Sequence, residues 1–466
     1  MTLSARIGLI IAAALIVLGA AAGALAWRPS IAAIEPPNPQ SFDPELVRRG
    51  RQLVALGNCT DCHTVRGGQE FAGGLPVVTP FGTVFSTNIT PDPETGIGRW
   101  SEQAFQRAMK SGVDRAGQHL YPTFPYDHFT HVTDADDRAL YAYLMTRRPV
   151  NAPTPANHLT FPYDQRPLIA GWKLLFLQRD EVTPDPAKST VWNRGAYLVQ
   201  GLAHCGACHT PRNALGAERT TASFAGGQAE NWVAYALNAA SPAPVPWTED
   251  ALFDYLRNGW QKDHGVARGP MAQVVNNLAL VDDDDVRAIA AYTADIFGPP
   301  AAGRIQGAEA VRAEAAKPQS GPPQTSASTS APKASGPDSN EGAAIYAAAC
   351  ASCHETGRAL PYAGVDLHLS TGISAPDPRN VANTILYGLP ARNGERSPIM
   401  PGFAASMTDV QVTALLNYLR ATFSKQPPWS NIAQTVADAR QAQAAFLQTA
   451  AEPPNIAIHT APRGQP

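Results

Sequence analysis

The sequence predicts a mainly α protein: three small helical modules in tandem behind an N-terminal transmembrane helix. Three observations carry this. All six cysteines fall into three C-x-x-C pairs, each followed directly by histidine. Each pair follows a glycine by eight to ten residues, at Gly50, Gly195 and Gly342, and each stretch closes on an amphipathic segment with a helix-start signal. Residues 7–27 carry no charge. The length of 466 residues fits about three domains. The net charge of −3 lacks the basic footprint that nucleic-acid binding needs. Charged residues make up 16% of the chain and prolines number 42, which points to long irregular connections.

The uncharged run from Ile7 to Trp27 has 21 residues, enough at about 1.5 Å per residue to cross a hydrocarbon layer of about 30 Å. Ala24-Leu25-Ala26 resembles a processing site, so the run reads as a transmembrane anchor or as a signal. Its length exceeds the ~7–15 residues of a signal core and favours the anchor.

The three motifs are Cys59-Thr-Asp-Cys62-His63, Cys205-Gly-Ala-Cys208-His209 and Cys350-Ala-Ser-Cys353-His354. C-x-x-C alone fits a redox dithiol or half a zinc site, whereas C-x-x-C-H is the attachment signature of c-type haem. Two cysteines one helical turn apart reach the two vinyl groups, and the adjacent imidazole reaches the iron. The pairs lie too far apart in the chain to suggest a four-ligand zinc set. The reading is three covalently bound haem c groups, one per motif.

The modules repeat. Closing helices start at Thr133-x-x-Asp136, Asp282-x-x-Asp285 and Thr408-x-x-Gln411, with Tyr143, Tyr292 and Tyr418 in their bodies. This is the cytochrome c pattern, in which the first and last helices cross and a small residue on the first admits close contact. The acids from Asp282 to Asp285 read as ordinary helix N-terminal acids.

A methionine on the opposite face raises a haem's potential. Met271 follows His209 by 62 residues and Met400 follows His354 by 46, both on proline-flanked loops ahead of the closing helix. The first module breaks the pattern: 61 residues after His63 stands Phe124, which cannot bind iron. Met109 aligns with Leu256 and reads as core. The remaining ligands are His128, favoured, then His119, His131 or none.

The boundaries follow. Module one spans 42–148, a proline-rich connector 149–188, module two 189–298, a flexible linker 299–340, module three 341–424 and a tail 425–466. In the connector, Leu168 to Leu177 is too short to span a bilayer and is expected to pack on a module. No aromatic residue occurs between Phe297 and Tyr346, and about forty coil residues bridge ~35 Å, so the third haem is expected to move as a tethered carrier. The tail is expected to hold one helix near 433–449.

The stretch from Phe81-Gly-Thr-Val-Phe-Ser-Thr-Asn-Ile-Thr-Pro to Trp100, with Leu120-Tyr-Pro and Met400-Pro-Gly-Phe403, resembles the triheme cytochrome c subunits of bacterial membrane-bound dehydrogenases over roughly residues 41–428. In the alcohol dehydrogenase branch, with its pyrroloquinoline-quinone partner, a methionine stands where this chain has Phe124. The Tyr121-Pro-Thr-Phe-Pro-Tyr126 version is more similar to cytochrome partners of molybdenum hydroxylases acting on aldehydes or N-heteroaromatics. The resemblance implies a catalytic dehydrogenase partner of molybdopterin or pyrroloquinoline-quinone type, with room for a small third subunit. It also implies transfer to ubiquinone or another respiratory acceptor at the periplasmic face of the bacterial inner membrane.

The expected function is therefore electron transfer, with no catalytic residue of its own: no G-x-G-x-x-G follows a strand. Two other readings stay open. A five-coordinate first haem fits a peroxidase-like enzyme, and the module type also occurs in terminal oxidases. Haem c is attached outside the cytoplasm, which places residue 28 onward in the periplasm.

Overall fold

The computed structural model describes residues 2–179, 181–317, 337–355, 364–389 and 397–451. The chain opens on α1 (Leu3–Ala26), half of whose 24 residues are alanine or glycine and bring little apolar surface each. Among the described residues no helix is long and apolar enough to cross a membrane, which corrects the expectation of a transmembrane helix over 7–27. The carboxyl end of α1 is tied to the first module, where His119 Nε2 lies 2.9 Å from the Ala26 carbonyl.

The first module comprises α2 (Pro44–Leu56), α3 (Cys59–His63), the antiparallel pair β1 (Pro76–Thr79) and β2 (Gly82–Phe85), α4 (Glu102–Ser111), α5 (Tyr126–Phe129) and α6 (Asp134–Met145). A short β3 (His158–Leu159) from the connector adds to β2, and α7 (Leu168–Phe176) follows. As expected for Leu168 to Leu177, α7 packs on the first module. The amine of Lys173 reaches the Ser111 and Gly112 carbonyls at 2.8 and 2.6 Å and His119 Nδ1 at 3.0 Å.

The second module repeats the plan with α8 (Thr190–Gln200), α9 (Gly206–His209), β4 (Gly227–Ala229) paired with β5 (Trp232–Ala234), α10 (Glu249–Asn258), β6 (Trp260–Gln261) paired with β7 (Gly265–Val266), α11 (Pro270–Leu278) and α12 (Asp283–Phe297). The internal correspondence extends to caps. Ser101 and Thr248 accept from the third residue of α4 and α10, and Gly112 and Gly259, at φ 57° and 78°, end the two helices. Met109 and Leu256 both sit in the core, as the alignment predicts.

Next come α13 (Ala302–Ala315), α14 (Pro337–Ala349), α15 (Ala351–His354), α16 (Thr371–Ser374), α17 (Arg379–Tyr387), α18 (Asp409–Phe423) and α19 (Ile432–Ala451). The stretch expected to be a flexible linker thus begins as a helix, because Ala308 packs between Val245 and Leu369 while Arg312 pairs with Asp263 at 2.9 Å. Residues 318–336 of that linker lie outside the described residues. The tail helix falls where expected and packs on α17 and α18. Arg440 reaches the Ala404 carbonyl at 2.6 Å, and Tyr387 donates to the Ala439 carbonyl at 2.9 Å.

All three modules share one crossing. A Cβ on Gly50 would stand 2.0 Å from the Ala139 carbonyl oxygen and 2.7 Å from Tyr143 Cβ. At Gly195 the distances are 1.9 Å to Ala288 and 2.7 Å to Tyr292, and at Gly342 they are 2.3 Å to Ala414 and 2.8 Å to Tyr418. Only hydrogen fits between the helices, so glycine sets their approach. The closing helices are capped at Thr133 and by a full capping box at Thr408 and Gln411. Asp282 departs from this: its carboxylate makes no cap but accepts from Gln52 of the first module at 2.7 Å.

Modules one and two share a continuous core in which Leu53, Leu56 and Leu140 meet Leu198, Leu202 and Val281. The third has its own core around Ile373, Leu415, Leu416 and Val436. It is nevertheless docked rather than swinging free. Asn380 brackets Val233 of β5, accepting from its amide and donating to its carbonyl at 2.8 Å each, and Asn383 donates to the Asn231 carbonyl at 2.9 Å.

Candidate functional site

Each C-x-x-C-H sequence folds into one short helix, which places two thiols a turn apart and the imidazole at the exit. The approach to α3 needs Asn58 in the left-handed region at φ 51°, and the approach to α9 needs His204 at φ 39°. No disulfide joins the six cysteines, so both sulfurs of each pair are open to thioether attachment. Before a haem is attached, burial pushes the thiols of Cys59 and Cys205 up to about 12 and that of Cys350 up to about 11, and thioether attachment removes this titration.

The histidines agree closely. His63 Nδ1 meets the Thr87 carbonyl at 2.6 Å, His209 Nδ1 the Tyr235 carbonyl at 2.7 Å, and His354 Nδ1 the Val365 carbonyl at 2.9 Å. A carbonyl only accepts, so Nδ1 carries the proton in all three and Nε2 keeps its lone pair. Burial lowers all three below the usual imidazole range, which keeps the rings neutral. A neutral ring with an oriented bare Nε2 is what an iron ligand requires.

A further observation fits a haem. Arg268, three residues before Met271, has buried Nε and Nη1 atoms without an acceptor, and burial lowers it to about 10. A buried guanidinium calls for an anion, and a haem brings carboxylates.

Met271 is half-buried against the shared core, but in the first turn of α11 rather than on a loop, because Gly269 at φ 52° and Pro270 start the helix there. Met400 is half-buried against the third core, bridged to Leu389. In the first module Phe124 packs on Phe129, with ring centroids 5.2 Å apart.

His128, favoured from sequence as the sixth ligand there, is committed elsewhere. Its Nδ1 faces the Gln200 carbonyl and its Nε2 faces Glu218, each at 2.7 Å. His119 is likewise occupied on both nitrogens, by Ala26 and Lys173. His131 lies half-buried on the turn after α5, facing Gly201 of the second module.

The sites of modules one and two adjoin each other. His204 Nε2 lies 3.3 Å from the Gly57 carbonyl, and Asn277 of α11 donates to Asn58 and Asp61 at 3.0 and 3.1 Å. Sequence reasoning missed the polar clasp nearby. The buried Asp136 accepts from Arg49 and, at 2.7 Å, from the Tyr197 hydroxyl, while Arg194 pairs with Asp285 at 2.7 Å. Asp285 is thus a cross-link rather than a plain helix N-terminal acid, and no local sequence signal distinguishes it.

Comparison with known proteins agrees with this architecture. The family model described as "Cytochrome c" matches residues 47–148, and that described as "Cytochrome C oxidase, cbb3-type, subunit III" matches residues 337–419. The chain is 46% identical over 427 residues to a nicotinate dehydrogenase subunit of Pseudomonas putida, covering 91% of this chain. It spans about a third (34%) of that relative's length. It is 35% identical to the gluconate 2-dehydrogenase cytochrome c subunit of Pantoea cypripedii, over 85% of this chain and 90% of that one. The fructose dehydrogenase cytochrome subunit of Gluconobacter japonicus is 34% identical, over 83% of this chain and 81% of that one. With its repeated thiol and imidazole geometry, the chain is a haem c protein that belongs to the family of cytochrome c subunits of membrane-bound dehydrogenases.

Proposed function

We propose that the chain carries three haem c groups and relays electrons from a catalytic dehydrogenase subunit to ubiquinone or another respiratory acceptor. Haem supplies a one-electron iron centre, and the protein tunes it through ligand and burial. His63, His209 and His354 bind iron through Nε2, with Met271 and Met400 as the second ligands in modules two and three. The observation that carries this reading is the same Nδ1-to-carbonyl contact at all three histidines.

Phe124 leaves the first site without a methionine ligand to iron, so its potential differs from the other two. The 46% identity to a Pseudomonas putida nicotinate dehydrogenase subunit favours a partner acting on an N-heteroaromatic substrate, and the resemblance of Tyr121-Pro-Thr-Phe-Pro-Tyr126 to cytochrome partners of molybdenum hydroxylases favours a partner of molybdopterin type. The pyrroloquinoline-quinone alternative is the less favoured partner. Because haem c is attached outside the cytoplasm, the site of action is the periplasmic face of the bacterial inner membrane.

Mass spectrometry of the purified chain tests the count: three covalent adducts are expected, and fewer refute the proposal. Redox titration is expected to resolve one component apart from two others. The commitment of His128 and His119 to other partners also favours a second reading, an open first site with peroxidase-like reactivity. Carbon monoxide added to the ferrous protein discriminates, since an unchanged spectrum removes that reading.

A further inference from the structure

Asp127, His128 and Glu218 form a cluster that the haem sites and helix crossings leave unused. Asp127 and His128 stand on α5 of the first module. Glu218 belongs to the second, on the isolated bridge with Arg212 that closes the loop after α9. One polar atom from each of the three lies within 4.8 Å of the others.

His128 has an acceptor on both sides: the Gln200 carbonyl at Nδ1 and the Glu218 carboxylate at Nε2, each at 2.7 Å. A neutral imidazole would turn a lone pair toward one of them. The geometry therefore requires a second proton, on the ring or shared with the carboxyl group. Burial opposes the charge on His128, but the hydrogen bond and charge of Glu218, helped by Asp127, lift the ring above its usual range.

The surrounding groups do not supply that proton. Arg212 stands 3.9 Å from Glu218 and already donates to the Gly216 and Ala207 carbonyls at 2.7 and 2.9 Å. Burial, followed by the charge of His128, takes His204 down to about 4, and its ring centroid is 6.4 Å from that of His128. Burial holds the carboxyl of Asp127 above the usual range, and in the holoprotein Cys208 is a haem thioether with no proton to give.

The position gives the cluster a use. A Cβ on Gly206, between Cys205 and Cys208, would meet Glu218 Oε2 and His128 Cε1 at 3.0 Å each. The cluster thus rests on the backbone turn that attaches the second haem. Charge added at that centre raises the proton affinity of any titratable group so near. By linkage, a proton bound there stabilises the reduced centre.

We propose that Asp127, His128 and Glu218 are a proton-binding site of the relay, taking up a proton as the second centre is reduced and releasing it on reoxidation. This rests on the electron-transfer reading above. One electron enters from the dehydrogenase partner, up to one proton enters from water, and no bond to iron forms or breaks. A proton suits the cluster better than a metal ion. Two atoms each about 2.0–2.2 Å from one tetrahedral zinc ion stand farther apart than the 2.7 Å between Nε2 and Oε1.

The test is redox titration of the full-length holoprotein from pH 5 to 9. One of the three potentials is expected to fall with rising pH, by less than the 59 mV per unit of full one-proton coupling. Glu218→Gln is expected to flatten that slope, because an amide can donate to Nε2 and satisfy a neutral ring. His128→Gln is expected to do the same, and a pyridine haemochrome assay checks that either variant keeps three haems. Flat potentials in the unmodified protein, or a slope surviving both substitutions, overturn the proposal. So does a stoichiometric divalent cation whose chelation shifts the potential, which would make the cluster a metal site. Fewer than three haems in the unmodified protein refutes the relay reading itself, separately from this one.

Discussion

Substituting Gly195→Ala sets two effects of opposite sign against each other. Alanine is a better helix former than glycine by about 1 kcal/mol in a helix interior. Against that, the new methyl carbon would stand 1.9 Å from the Ala288 carbonyl oxygen and 2.7 Å from Tyr292 Cβ. Ordinary Cβ contacts begin near 3.4 Å, so α8 and α12 must separate by more than 1 Å. That movement loosens the Trp192 and Tyr292 rings, now 5.0 Å apart, and the 2.6 Å bond from Gln200 to the Tyr292 hydroxyl.

Overpacking costs about 1–3 kcal/mol, and here the obstacle is backbone that cannot rotate away, which places the cost at the upper end. The net is a loss of about 2 kcal/mol. Modules one and two share a core and unfold as one unit, so at about 2–4 °C per kcal/mol for a unit of that size their transition should fall by roughly 4–8 °C. Differential scanning calorimetry of the holoprotein reads it. Gly307→Ala in α13 is the control, because nothing lies within 4 Å of its Cβ and propensity alone acts. If both variants move the transition the same way, the glycine-gated crossing is wrong.

Other perturbations address the contacts between modules. Asp136→Asn removes the charge that Arg49, Arg194 and Tyr197 surround, and urea unfolding should show a loss of about 1.5–3 kcal/mol, the range for hydrogen bonds to a charged group. The His128 pKa is raised on folding, so its stabilisation is complete below about 6.5 and disappears as pH rises through the elevated folded value. The urea midpoint should therefore decline above neutrality in the unmodified protein and not in Glu218→Gln. Asn380→Ala takes both bonds from Val233, and hydrogen exchange at that amide should accelerate about 5–10-fold, as loss of about 1 kcal/mol predicts.

The three C-x-x-C-H motifs were legible as haem c candidates because their chemistry is local. Two thiols and an imidazole within five residues need one helical turn and nothing distant. The crossing glycines were legible for a related reason: three copies in one chain expose a constraint that a single copy would hide. Phe124 stood out by the same comparison.

Ligand choice in the first module was not legible. The sequence shows that His128 is four residues beyond Phe124, but not that a glutamate ninety residues later occupies its Nε2. The acids at the start of α12 misled similarly, since helix-dipole reasoning accounts for them without Gln52 or Arg194. The linker misled because composition sees alanine and cannot see that Ala308 meets Val245 and Leu369.

Motif spacing by itself thus determined the cofactor, the number of modules and the helix crossing, since each depends on residues within a turn or on repetition along the chain. Only the tertiary structure decided which histidines were already engaged, that the third module is seated on the second, and that Asp127, His128 and Glu218 gather beside the second C-x-x-C-H turn. Those depend on which distant surfaces are buried together, and a buried polar group takes whatever partner that packing brings within about 3 Å.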